Sequence, residues 1–298
     1  MISKQAQEVI AMLRTFKQDS EGKEDSAADV IATRKMLDEK GLAAPIPQAI
    51  TVVPVDDGTV KGEFLYYHEE IDKIDGHIIL FIHGGGFMTG SVISRRPLCA
   101  GFVEQARMDA FSVSYGQWPE AVHPVALNDC LEAYHWLIKK GYKPENIHFF
   151  GESAGAMLTL TTILYLKDHG EPLPQSACVF SPVAGFGDPL KSHTERADRD
   201  PMIGHRSTIP YYGETEDLKD PYLSPRYGEY KRFPRLSIHV GSEEVLFDDA
   251  MLIETLCREA GVDVSMRIWE ELFHVFVLFP CPETDIALKE IGKFFREE

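Results

Sequence analysis

From Ile50 onward, short apolar runs alternate with longer stretches in which apolar residues recur every three or four positions. The short runs are Ile50–Val55, Val60–Tyr67, His77–Ile82, Ala110–Tyr115, Asn146–Gly151, Ala177–Ser181, Arg235–Val240 and Val264–Trp269, and they have the length and residue types of β-strands. Helical periodicity covers Ala126–Lys139, Ala154–Lys167, Asp248–Ala260 and Glu283–Glu298. Strand–helix–strand alternation specifies an α/β fold, a mostly parallel sheet with helices on both faces. The first two strands are separated only by the turn signal Asp56-Asp57-Gly58, which predicts an antiparallel hairpin.

Two segments break the alternation. Residues 1–45 carry two helical patterns, Ser3–Lys17 and Ser26–Glu39, ahead of the first strand. Residues 186–222 are charged and aromatic-rich, without a clean period, and lie between two strands. Ligands bind α/β sheets beyond the carboxyl ends of the strands, and a long excursion there commonly forms a lid. The expected organisation is one catalytic domain over residues 46–298, with a cap built from residues 1–45 and the insertion 186–222; the alternative for residues 1–45 is a packing appendage. No internal repeat or flexible linker argues for a second domain.

Composition narrows the function classes. The formal net charge of −17 opposes binding to nucleic acid or to an anionic membrane surface. The cysteines, Cys99, Cys130, Cys178, Cys257 and Cys281, are odd in number and widely spaced, which points to a reducing compartment rather than a disulfide framework. Charged and amide side chains interrupt the first twenty residues, and no run of about 18 apolar residues occurs, so a cytoplasmic protein is expected.

The chemistry is concentrated in two glycine-rich pieces. Gly151-Glu152-Ser153-Ala154-Gly155 follows a predicted strand and opens a predicted helix. A Gly-x-Ser-x-Gly pentapeptide alone arises by chance in about one chain in ten of this length. Between strand and helix it meets the needs of a nucleophile elbow, where a strained turn exposes the serine and the glycines remove Cβ clashes. The following helix also offers its N-terminal N–H groups and dipole to developing negative charge. The second piece, His83-Gly84-Gly85-Gly86, follows the strand His77–Ile82. The N–H groups of Gly84 and Gly85, with that of Ala154, are the expected oxyanion hole. A nucleotide-binding loop is not matched, because position 89 is Thr and no P-loop lysine follows.

With these motifs the chain resembles the hormone-sensitive-lipase-like carboxylesterases of the α/β-hydrolase superfamily. The resemblance spans roughly residues 45–298 and rests on HGGGF at 83–87, the Pro119-Glu120 pair, GESAG at 151–155, DPYLSP at 220–225, GSEEVLFDD at 241–249 and a histidine near the end. It implies an eight-stranded sheet, a helical cap and hydrolysis of carboxylic esters without a cofactor. It also implies short acyl chains, acetyl or butyryl. The superfamily's chain order, nucleophile then acid then histidine, places the general base after Ser153. His239 lies inside a predicted strand, His193 and His205 in the insertion, and His169 at the end of the helix after the elbow. His274 follows the last strand in a loop, where the family's histidine lies, and is the expected base. The acid is Glu244 by the same resemblance, with Asp248 as the alternative. Asp248 or Asp249 has a plain explanation as the N-cap of the next helix.

One departure concerns the substrate. Relatives commonly read Asp-Tyr-Arg-Leu-Ala-Pro-Glu where this chain has Ser114-Tyr115-Gly116-Gln117-Trp118-Pro119-Glu120. The bulky Phe87 and Trp118 are the expected substrate-binding residues. The reading is therefore a serine esterase working through an acyl-enzyme, with a small-molecule ester as partner, no nucleic acid, no membrane, no metal, and a homodimer left open. Two alternatives use the same scaffold: amide hydrolysis, as in arylformamidases, and a non-enzymatic small-molecule receptor. Such receptors typically lack the catalytic histidine, which this chain retains at His274.

Overall fold

The computed structural model describes residues 1–20, 26–69, 73–203, 210–213 and 217–297. Its sheet contains β1 (Ile50–Asp56), β2 (Lys61–Tyr67), β3 (Ile78–Ile82), β4 (Asp109–Val113), β5 (Ile147–Glu152), β6 (Ser176–Phe180), β7 (Arg235–Gly241) and β8 (Val264–Trp269). The spatial order is β1-β2-β4-β3-β5-β6-β7-β8. β2 is antiparallel to both of its neighbours, and every other pairing is parallel. The expected hairpin forms between β1 and β2. Asp57 Oδ1 accepts the N–H groups of Thr59 and Val60, and Gly58 adopts a positive φ of 85°.

β3, β4, β5 and β6 are buried at every residue, which is why they read as continuous apolar runs without alternation. Successive residues of β3 enter two different cores. Ile78, Leu80 and Ile82 face the layer containing α4 (Val125–Lys139), α5 (Ala154–Asp168) and α7 (Phe247–Glu259). Ile79 and Phe81 face the layer of α3 (Arg96–Ala106) and α8 (Pro282–Arg296).

Helix α3 has no counterpart among the sequence expectations. Proline at its start and Gly101 in its middle hide the period. Pro97 is tolerated because the first-turn N–H groups lack partners anyway. Gly101 faces α8, where an added Cβ would lie 3.0 Å from a Leu288 methyl. Helical propensity is given up there for a close helix–helix contact.

Ahead of the sheet lie α1 (Lys4–Ser20) and α2 (Ala27–Ala43). A capping box between Ser26 and Asp29 starts α2. Both helices reach segments near the carboxyl ends of the strands. Lys17 Nζ donates to the carbonyls of Ala197 (2.5 Å) and Asp200 (2.8 Å). Arg34 donates from Nε to the Met88 carbonyl at 2.6 Å, from Nη2 to the Trp118 carbonyl, and from Nη1 to the Glu120 carboxylate. The short helix α6 (Ser192–Glu195) lies within residues 186–222. His205 lies outside the described residues. Among the described residues, no helix is long and apolar enough to cross a membrane.

Phe81 is fully buried between Phe102 and Phe150, with ring centroids at 5.4 and 5.6 Å. Phe81→Ala is expected to lower unfolding free energy by about 3–5 kcal/mol through lost transfer energy and a cavity. A urea titration at unchanged slope measures this, and a loss under about 1 kcal/mol would mean the two aromatic neighbours close the gap.

Candidate active site

The turn from β5 into α5 is tight enough to force Ser153 to φ 56° and ψ −120°, a conformation that costs a non-glycine residue about 1–3 kcal/mol. Glycines on either side make the turn sterically feasible. A Cβ on Gly155 would lie 2.0 Å from the Ile82 carbonyl oxygen, and one on Gly151 would lie 2.3 Å from the Gly155 carbonyl oxygen. The Ser153 N–H donates to the Phe180 carbonyl at 2.9 Å, anchoring the elbow to β6.

His274 arrives from the loop after β8 and Glu244 from the loop after β7. Ser153 Oγ lies 2.9 Å from His274 Nε2, and His274 Nδ1 lies 3.1 Å from Glu244 Oε2. In the neutral ring this network assigns the proton to Nδ1, which donates to the carboxylate, and leaves Nε2 to accept the serine hydroxyl. Glu244 Oε1 accepts the Gly241 N–H at 3.2 Å. All three side chains are buried, Glu244 completely. Burial opposes a charged imidazole, but the hydrogen bond and charge of Glu244, with the charges of Asp200 and Glu152, outweigh it, so the His274 pKa is raised above the ordinary histidine value. Burial likewise pushes the Glu244 carboxyl up, against the pull of His274.

Neither aspartate of the following helix reaches His274 by a hydrogen bond, and neither is the N-cap. The cap position of α7 is Leu246, so Asp248 and Asp249 lie within the first turn. Asp248 accepts the Ser192 N–H at 3.0 Å, and Asp249 accepts the Ala184 N–H at 2.8 Å and faces His193 Nε2 at 2.5 Å. Their carboxylates fasten α6 and the loop after β6 instead of the helix end. His193 is thereby engaged away from the serine. His239 is buried within β7 between Phe180 and Trp269, where burial lowers its pKa to about 3. His169 ends α5 with Nδ1 2.8 Å from the Tyr165 carbonyl.

The glycine loop corrects one assignment. The Gly84 N–H, expected to face an oxyanion, donates instead to Glu152 Oε1 at 2.6 Å. The amides of Gly85, Gly86 and Ala154 have no acceptor among the described residues, and all three residues line a cavity beside Ser153. Gly85 and Gly86 adopt φ 117° and 64°, open to glycine at little steric cost. The loop is braced from below by His83, whose Nδ1 lies 2.9 Å from the Gly84 carbonyl and whose ring stacks on Tyr115. Burial lowers the His83 pKa to about 3, so the ring is neutral.

The cavity has a volume of about 330 Å³, within the range of small-molecule sites. Phe87 lines it, stacked on Tyr211 at 3.7 Å. Trp118 does not: its N–H donates to the Phe87 carbonyl at 2.9 Å and its own carbonyl accepts from Arg34, so it braces the loop through its backbone. Met202 and Ile203, from the 186–222 segment, complete one wall.

Several contributors went unrecognised in the sequence. Ser181 Oγ accepts the Val275 N–H at 3.1 Å and hydrogen-bonds Glu244, tying the His274 loop to that carboxylate. Asp200 is buried near His274 and accepts the N–H groups of Met202, Ile203 and Val245. Arg95 lines the cavity and donates from Nε to Glu152 at 2.9 Å. Asp200 and Arg95 sit in no motif or periodic pattern, and Ser181 only ends a predicted strand, so proximity in the fold is what reveals these contacts. Among the described residues, no group of three or more His, Cys, Asp or Glu is arranged to hold a metal ion. The five cysteines are buried and unpaired.

Comparison with known proteins agrees with this architecture. Residues 79–278 match an α/β-hydrolase-fold family. An acetyl-hydrolase of Streptomyces hygroscopicus is 35% identical over 82% of this chain and 83% of its own length. An esterase of Acinetobacter venetianus is 27% identical, with 88% of each chain covered. Among solved structures, an esterase/lipase from an uncultured bacterium superimposes with a TM-score of 0.90 at 30% identity, covering 99% of this chain and 98% of that one. An esterase of the bacterial hormone-sensitive lipase family superimposes at 0.89 with 28% identity and the same coverage. The chain is a carboxylic ester hydrolase with the α/β-hydrolase fold and belongs to the hormone-sensitive-lipase-like carboxylesterase family.

Proposed function

We propose that Ser153, His274 and Glu244 form the catalytic triad and hydrolyse short-chain acyl esters, acetyl and butyryl among them, by two-step acyl transfer. The observation that carries the reading is the unbroken hydrogen-bond chain from Ser153 Oγ through His274 to Glu244 at the wall of the cavity. His274 Nε2 takes the hydroxyl proton as Oγ attacks the ester carbonyl. The resulting oxyanion faces the N–H groups of Gly85, Gly86 and Ala154, each donor of this kind being worth on the order of 3 kcal/mol. Collapse expels the alcohol, which leaves with the proton from His274. Water then attacks the acyl-enzyme by the same route, releasing the acid and restoring Ser153. Residues 1–45 and 186–222 serve as the cap, with Lys17 and Arg34 holding the carbonyls of the segments that wall the site.

Support for short chains comes from the modest cavity, the Phe87 ring that lines it and is backed by Tyr211, and the acetyl-hydrolase among the relatives. A series of p-nitrophenyl esters from acetyl to dodecanoyl tests this: kcat/KM is expected to peak at acetyl or butyryl. Faster turnover of decanoyl or longer esters would refute the chain-length assignment.

For the triad, Ser153→Ala should fold and lose ester hydrolysis, since the nucleophile is lost with little change in packing. Glu244→Gln keeps the shape but removes the charge that supports imidazolium. A drop in kcat of several hundredfold up to about 10⁴ is expected, as for loss of an equivalent carboxylate in a serine protease. Retention of more than a tenth of wild-type kcat by Glu244→Gln would assign the acid elsewhere.

The pH profile supplies an independent check. Catalysis needs neutral His274, so kcat/KM falls as pH drops through its pKa. Because Glu244, together with Asp200 and Glu152, raises that pKa, the midpoint of the acid limb is expected above that of an ordinary histidine in the wild type. Residual activity of Glu244→Gln should show a lower midpoint. An unmoved midpoint would separate His274 from Glu244 electrostatically.

A further inference from the structure

Among the described residues, the cavity carries one cationic side chain that the acyl-transfer mechanism does not use. Arg95 stands just before α3, is about nine-tenths buried, and lines the same cavity as Ser153 and Ala154. Its Nε donates to Glu152 Oε1 at 2.9 Å, and that oxygen also accepts the Gly84 N–H. A guanidinium has five N–H donors, and Nε supplies one. Neither Nη group has an acceptor among the described residues, and neither is sealed off as an enclosed polar atom without a partner. Much of the surrounding wall is apolar, including Val183, Val245, Leu246 and Val275.

Charge balance does not require this arrangement. Glu152 is fully buried and needs a cation, but a lysine ammonium would provide it. What arginine adds is a planar fork whose second edge stays available, matched to a carbonyl or carboxylate oxygen. An unpaired donor in an apolar wall costs desolvation energy that a ligand oxygen recovers. We infer that Arg95 is a specificity-determining residue that receives a second oxygen acceptor of the ester, so that substrates carrying a ketone or carboxylate near the scissile bond are favoured over apolar isosteres. This inference rests on the esterase reading of the Ser153 site and names the substrate class for it.

Three methyl esters with acyl groups of similar size isolate the effect: pentanoate, 4-oxopentanoate and the monomethyl ester of succinic acid, followed by titration of released acid. Acetoxyacetate against propyl acetate covers an acceptor on the alcohol side. In the wild type, at least one acceptor-bearing ester should exceed its isostere in kcat/KM by roughly 10- to 100-fold, as expected for hydrogen bonds to a charged group. The ketone and carboxylate arms tell which oxygen is read. Arg95→Lys retains the charge beside Glu152 but loses the fork, and should reduce that ratio about tenfold or more. If Arg95 only steadies Glu152 and the glycine loop, Arg95→Lys slows every ester alike and leaves the ratio unchanged, which overturns the inference. Absence of any acceptor preference in the wild type overturns it too. The double variant Arg95→Met with Glu152→Gln removes the pair without stranding a buried charge, and should abolish the preference should Arg95→Lys not fold. Binding of methyl 4-oxopentanoate and monomethyl succinate against methyl pentanoate to Ser153→Ala, by calorimetry, needs no turnover. Loss of all ester hydrolysis in the wild type would strike the esterase reading, whereas equal binding of the three esters strikes this one.

Discussion

The site is organised by the backbone of Ser153. A strand running into the core and a helix packed back on it leave one residue for the reversal, and that residue is held at positive φ. The strain persists because its surroundings over-determine it: the Ser153 N–H is fixed to Phe180, and Gly155 lies against the carbonyls of Ile82 and His83. The same contact brings the glycine loop that follows β3 beside the first amide of α5. The proposed nucleophile and oxyanion donors are therefore neighbours for one steric reason, the close approach of α5 to β3.

Around this turn the protein buries carboxylates and gives each its own donors. Glu152 has Arg95 and the Gly84 N–H; Glu244 has His274 and the Gly241 N–H. Asp249 faces His193 and accepts from Ala184, and Asp200 accepts the backbone N–H groups of Met202, Ile203 and Val245. A buried carboxylate without such partners would be costly or would take up a proton. In a chain with a net charge of −17 this pairing also separates roles. Of these four, only Glu244 is hydrogen-bonded to His274, while the others fasten the loops that frame it.

The walls of the cavity come from parts of the chain far apart in sequence. Met202 and Ile203 belong to the insertion, and Lys17 of α1 holds the carbonyls of Ala197 and Asp200 just before them. Arg34 of α2 holds the glycine loop at Met88 and the Trp118 loop together. Shape at the site is thus coupled to docking of the first two helices, through cations that bond to carbonyl oxygens.

The eight strands and most of the covering helices were legible in the sequence, because burial on two faces leaves continuous apolar runs and burial on one face leaves a helical period. GESAG and HGGG were legible because backbone geometry at an elbow and a close-approach loop restricts residue type to glycine locally. Helix α3 escaped, since Pro97 and Gly101 serve helix start and helix contact at the expense of the period. Which amide of the glycine loop stays available depended on Glu152, which sits next to Ser153 in the chain but meets Gly84 only when β3 and β5 pair. The uses of Asp248, Asp249, Arg95 and Trp118 were likewise decided by partners dozens of residues away. Local backbone and burial constraints act on each residue where it stands and so leave a mark on the sequence. Hydrogen-bond partners are chosen by whatever the fold brings within about 3 Å, and that proximity exists only in the tertiary structure.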